Sequence, residues 1–112
     1  MCEKSLGTGH MGYKVEILPS TWEDLKRIND YYIIQFNFDT ALKVIDYILN
    51  VINRLEEFPE SGSLTPDNWL NKRSYRMIIC KKHVAIYRFI NNIVYIYHIT
   101  DTRTEYTKLF NV

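Results

Sequence analysis

Three apolar, β-branched and aromatic runs, Tyr75–Cys80, His83–Ile90 and Ile93–Thr100, are separated by two residues each, Lys81-Lys82 and Asn91-Asn92. Spacers that short leave no room for a crossover, so successive runs pair antiparallel in a meander. Asparagine tolerates positive φ, which suits Asn91-Asn92 to a tight hairpin turn. Whatever precedes this meander has to cover its apolar face.

The first half supplies the cover. Tyr13-Lys14-Val15-Glu16-Ile17-Leu18 alternates apolar and polar residues, the pattern of a half-buried strand that Pro19 ends. Ser20 and Glu23 have capping-box spacing and predict a helix start. Trp22, Leu25, Ile28, Tyr32 and Phe36 then recur at helical spacing, with Lys26, Arg27, Asn29 and Asp30 on the other side. Asn37-Phe38-Asp39 interrupts this pattern, and Asp39 or Thr40 is the expected cap of a second helix. Its stripe is Ala41, Ile45, Ile48, Ile52 and Leu55, widened by Val44, Leu49 and Val51. Phe58-Pro59 stops it, and a loop is expected from Glu60-Ser61-Gly62 to about Asn71. The predicted class is α+β in the order β-α-α-β-β-β, a helical hairpin packed on a mainly antiparallel four-stranded sheet. Met1–His10 reads as an expression tail ahead of a native start at Met11, leaving a single domain over residues 11–112.

Charge is uneven along the chain although the total is +1. Residues 1–67 hold 6 Lys+Arg against 11 Asp+Glu, whereas residues 68–112 hold 8 against 2. From Asn68 to Thr100 there is no acidic residue, so the strand-rich half has a surface suited to polyanions. No apolar run approaches the ~20 residues of a membrane span. Two cysteines, Cys2 and Cys80, build neither a disulfide framework nor a Cys/His cluster. Cys80 reads as a small core residue, and a cytoplasmic location without cofactor or metal is expected.

In this order and spacing the chain resembles the RelE/ParE superfamily of bacterial type II toxins. The likeness is carried by Leu55-Glu56-Glu57-Phe58-Pro59-Glu60-Ser61-Gly62 leaving the second helix, and by Tyr75-Arg76 entering the next strand. Ile86-Tyr87-Arg88 on the following strand adds to it, as does Ile96-Tyr97-His98-Ile99 ahead of Asp101-Thr102-Arg103-Thr104-Glu105-Tyr106. The resemblance implies a toxin held inactive by a cognate antitoxin that wraps it. RelE-like members cut mRNA in the ribosomal A site; ParE-like members poison DNA gyrase and are not known as nucleases.

Metal-free RNA cleavage requires an activated 2′-hydroxyl, stabilisation of phosphate charge and protonation of the leaving oxygen. Arg76 and Arg103 could clamp the phosphate, His98 could exchange protons, and Tyr106 could orient or stack on a base. Lys72, Arg73, Lys81, Lys82 and Arg88 form the candidate RNA-backbone surface. Each has a structural alternative. Arg76 can pair with a carboxylate of the hairpin, and Arg103 can bridge to Asp101 or Glu105. His98 shares a strand face with Val94 and Ile96 and reads as structural, Tyr106 can be a packing anchor, and Lys81-Lys82 a charged hairpin tip. His83, beside that tip, is expected in solvent. RelE-like nucleases carry further basic residues where Ile78 and Val84 stand here, and are more basic than a pI near 7.8.

The expected function is therefore a growth-arresting toxin acting as a ribosome-dependent, metal-independent mRNA endoribonuclease. The alternative is a ParE-like gyrase inhibitor without chemistry, and a third reading is a binding module that has lost toxicity. The antitoxin is expected on an apolar surface including Tyr31, Ile34, Phe38, Tyr47 or Phe110.

Overall fold

Leu18 and Pro19, rather than the serine and glutamate that follow, set the start of the first helix. The computed structural model describes residues 12–102, so Arg103, Tyr106, Phe110 and the N-terminal tail lie outside the described residues. Strand β1 (Lys14–Ile17) leads into helix α1 (Pro19–Gln35), whose N-cap is Leu18. Proline fits the first helical position because no intrahelical acceptor awaits its missing N–H. The predicted capping box does not form. Ser20 Oγ instead donates to the Tyr97 carbonyl at 2.7 Å, and Thr21 Oγ1 to the Ile96 carbonyl at 2.7 Å. The cause is tertiary. Strand β1 stops pairing at Ile17, opposite Ile96 of strand β5 (Ile93–Asp101); the Ile96 carbonyl there accepts the Leu18 N–H at 3.2 Å as well as the Thr21 hydroxyl, and the Tyr97 carbonyl takes that of Ser20.

Helix α2 (Phe38–Asn53) is capped by Asn37, not by Asp39 or Thr40: the Asn37 side chain accepts the Thr40 N–H at 2.7 Å. A 3-10 turn, Arg54–Glu56, ends the hairpin. The expected 60–71 loop contains two further elements, strand β2 (Ser63–Leu64) and helix α3 (Asn68–Lys72). Strands β3 (Arg76–Cys80), β4 (His83–Ile90) and β5 form the meander. The sheet order is β1-β5-β4-β3-β2, with only the β1–β5 pair parallel. It has five strands, one more than expected, because two residues of the loop pair with Arg76 and Met77.

Leu25, Ile48, Ile52 and Leu55 of the helical layer pack on Ala85, Tyr87, Val94 and Ile96 of the sheet. The stripe of α1 is buried only in its middle: Trp22 is 52% exposed and Phe36 61%, so both ends lie off the core. Cys80 is buried as expected, and burial pushes its thiol up to about 11. Asn91 and Asn92 have φ of 52° and 66°, the all-positive turn that this dipeptide favours.

One irregularity re-aims the site strand. Ile86 pairs with His98 but Tyr87 pairs with Ile96, which leaves Tyr97 as an extra residue in β5. Strict alternation would put His98 on the face of Val94 and Ile96. The bulge instead gives that inward place to Ile99, which is buried in the main core. On the other face, Leu70, Tyr75 and Ile86 make a second, smaller core with Trp69 and Tyr97 against it.

Candidate functional site

Arg76 enters β3 beside the exit loop of the helical hairpin. Its guanidinium donates to the Gly62 carbonyl at 2.8 Å and lies 3.7 Å from a Glu60 carboxylate oxygen. The Gly62 N–H is also taken, donating to the Tyr87 hydroxyl at 3.0 Å. A side chain at position 62 would overlap the Met77 carbonyl and come within 2.7 Å of the Tyr87 hydroxyl, so only glycine fits. The Pro59-to-Gly62 segment, Arg76 and Tyr87 thus form a latch between the hairpin exit and the sheet.

His98 occupies a different place. Its Nδ1 lies 2.8 Å from Asp24 Oδ2, and the same oxygen accepts the Ile99 N–H at 3.0 Å. Arg27 donates to the other oxygen at 3.0 Å. Burial pushes the Asp24 carboxyl up, but His98, the Ile99 amide and Arg27 outweigh it and leave the group below its ordinary value. Asp24 was not a sequence candidate. Its signal was a carboxylate on the buried side of α1, four residues before Ile28 and three after Thr21.

The basic candidates divide into two groups. Arg73 and Arg88 come together on the face of the small core: Arg73 Cζ is 3.9 Å from the Trp69 ring centroid, and Arg88 Cζ is 5.1 Å from that of Tyr75. Trp69 stacks on Tyr75, and Tyr75 meets Tyr97 edge-on at 5.1 Å. The Arg88 Nε is buried with no hydrogen-bond partner among the described residues. Lys72 is the exposed last residue of α3. Lys81 and Lys82 instead form the β3–β4 turn, with Lys81 Nζ 4.4 Å over the Tyr47 ring.

His83 is not in solvent. It is buried, its ring 5.9 Å from that of Tyr32, and burial lowers its pKa against the opposing pull of Asp101. Two clefts adjoin it. One of about 500 Å³ lies between α1 and the end of β5, and one of about 330 Å³ lies between α2 and the β3–β4 turn. Of the expected apolar dock, Tyr31, Ile34 and Phe38 are exposed and Tyr47 is half-buried. Among the described residues no cluster of His, Cys, Asp or Glu could hold a metal ion, and no helix is long and apolar enough to cross a membrane.

Two solved structures share this arrangement. One, a chromosomal ParDE toxin–antitoxin system from P. aeruginosa, has a TM-score of 0.70 at 18% identity, covering 82% of this chain and 98% of that one. The other, the RelBE2 toxin–antitoxin complex from Mycobacterium tuberculosis, has a TM-score of 0.62 at 11% identity, covering 84% and 95%. Identities this low speak for the fold alone, which this chain shares with both toxin–antitoxin structures. No curated protein matches the sequence. Residues 15–106 match the family described as ParE toxin of type II toxin-antitoxin system, parDE. The chain belongs to this family of type II toxins.

Proposed function

We propose that this toxin acts in the cytoplasm as a ParE-like inhibitor of DNA gyrase, without chemistry of its own, and is restrained by a cognate antitoxin. The observation that carries the reading is the engagement of two ribonuclease candidates, Arg76 and His98, in holding the fold together. Arg76 supports the Gly62 latch, and His98 neighbours a buried carboxylate that also binds the chain's own backbone. A phosphate clamp and a proton-transfer group need to converge on one reacting phosphate. Here they are tied to separate elements, β3 to the hairpin exit and β5 to α1. The match to the ParE family along residues 15–106 favours the same reading.

The ribonuclease reading draws on one other observation, the Arg73–Trp69–Tyr75–Arg88 cluster, whose cations and rings suit a nucleic-acid backbone and bases. Induced expression separates the two. Growth arrest with DNA breaks and intact mRNA, retained in a soluble His98→Gln variant, is the expected result. Rapid mRNA cleavage lost with His98→Gln moves the function to the nuclease. Absence of any growth effect leaves the third reading, a binding module.

A further inference from the structure

The face of the sheet away from the helical hairpin carries rings and guanidinium groups. Tyr87, Phe89, Val94 and Ile96 belong to the main core, so strand alternation puts Arg88 and Tyr95, direct partners in the β4–β5 register, on the opposite face. There Arg88 lies over Tyr75, Tyr75 stacks on Trp69 and meets Tyr97 edge-on, and Arg73 packs on Trp69. Trp69, Arg88, Tyr95 and Tyr97 are half-buried and Arg73 is exposed, so each keeps surface to offer a ligand. The Arg88 Nε has no hydrogen-bond partner among the described residues, a deficit that an anion beside the guanidinium offsets. Among the described strand residues the register brings one carboxylate to this face, Glu16 opposite Tyr95, and Lys14 holds it at 3.2 Å.

We propose that this face binds single-stranded DNA, held but not cut, so that the toxin grips gyrase together with the DNA that gyrase carries. The inference rests on the gyrase reading above and gives that reading a use for the Arg73–Trp69–Tyr75–Arg88 cluster. Bases stack on the tyrosine and indole rings and on the Arg73 guanidinium plane, while phosphates meet Arg73 and Arg88. The chemistry of the face chooses this occupant. Ring faces beside cations suit a partner that alternates flat bases with negative charge. An acidic peptide would meet the cations but has few planes to offer the rings, and a second copy of the chain would set guanidinium against guanidinium. RNA offers the same planes and phosphates, yet under the gyrase reading DNA is the strand at hand. Any strand bound here stays intact, because His98, the candidate for proton transfer, is held by Asp24 at 2.8 Å.

The test is the affinity of the purified toxin for a labelled oligo-dT, by fluorescence anisotropy at several salt concentrations, beside its inhibition of plasmid supercoiling by purified gyrase. Wild type is compared with Arg73→Gln, Arg88→Gln and Tyr95→Thr, and Lys26→Gln, exposed on the helical layer, is the control. Circular dichroism and urea melts establish that each variant is folded. Each face variant is expected to weaken oligo-dT binding about tenfold and to raise the toxin dose that inhibits gyrase by a similar factor. Each arginine variant should also lower the slope of log affinity against log salt by about 0.7. The control should stay within about threefold of wild type. Folded face variants that bind oligo-dT like wild type overturn the proposal, as does an equal loss in Lys26→Gln. So does an oligo-rU bound more tightly than oligo-dT, or a loss of antitoxin affinity in these variants without a loss of oligo-dT affinity. Wild-type toxin that leaves gyrase active removes the gyrase reading and the joint grip with it, whereas wild type that inhibits gyrase but binds no oligo-dT removes only this inference.

Discussion

Asp24 and His98, 74 residues apart in sequence, meet at 2.8 Å where α1 takes over the edge of β5 from β1. The carboxylate also receives the Ile99 amide, so it continues the sheet's hydrogen bonding with a side chain. Ser20 and Thr21 do the same for Tyr97 and Ile96 one turn earlier. The first turn and a half of α1 therefore acts as a sixth partner strand made of side chains.

Asp24→Ala is expected to destabilise the fold by about 1–3 kcal/mol, because the Ile99 amide and the His98 ring lose a buried acceptor. His98→Gln, which keeps a donor on the side chain, should cost less than half as much. Urea denaturation at neutral pH measures both. Equal costs would mean that packing of the imidazole, rather than its hydrogen bond, dominates.

Acid should weaken the protein in two stages. Burial holds the His83 pKa below its unfolded value, against Asp101 and with Lys82, so the folded state binds fewer protons than the unfolded one. Its contribution is complete above about pH 6.5 and fades as pH falls through the lower folded value. Asp24 is also held below its unfolded value, so its contribution is complete above about pH 4 and is lost on further acidification. Thermal melts should be flat from pH 7 to 8 and decline below; His83→Leu should remove the upper part of that decline.

The Gly62 latch makes a sharper demand. Gly62→Ala forces a methyl group against backbone at the Met77 carbonyl, which cannot rotate away, and against the Tyr87 hydroxyl. A loss of about 1–3 kcal/mol is expected, comparable with overpacking a core. Tyr87→Phe leaves the Gly62 amide buried without its acceptor, at about 1–3 kcal/mol. Arg76→Ala should lower stability and, under the gyrase reading, reduce growth arrest only in proportion to folded protein. Soluble, fully folded Arg76→Ala without toxicity would show that the guanidinium acts on a target.

Lys81 carries a φ of 62° in the β3–β4 turn, a conformation that costs a side chain more than it costs glycine. Lys81→Gly should therefore stabilise the isolated toxin by up to about 1 kcal/mol. Thermal melts of the two proteins measure the gain. A variant that is less stable would place the value of Lys81 in its contact with the Tyr47 ring.

Much of the fold was legible because it rests on local periodicity. Two-residue spacers force antiparallel neighbours, and the α2 stripe from Ala41 to Leu55 can bury itself only as a helix, so the meander and the hairpin follow from the chain alone. The Gly62 motif was visible too, although its reason, a backbone passing against Met77 and Tyr87, was not. What failed in the sequence reading failed where a distant partner outbid a local one. Ser20 could cap its own helix, but its hydroxyl donates to the Tyr97 carbonyl of β5 instead. Ser63 and Leu64 have no strand signal of their own, and pair because β3 offers an open edge. His98 follows the alternation of β5 in sequence, yet one extra residue, Tyr97, turns it away from the Val94 face and toward Asp24. Side-chain period and turn length are properties of neighbouring residues and can be read along the chain. The bulge, the Asp24–His98 contact and the two clefts beside His83 depend on which surfaces meet after folding, and only the tertiary structure decided them.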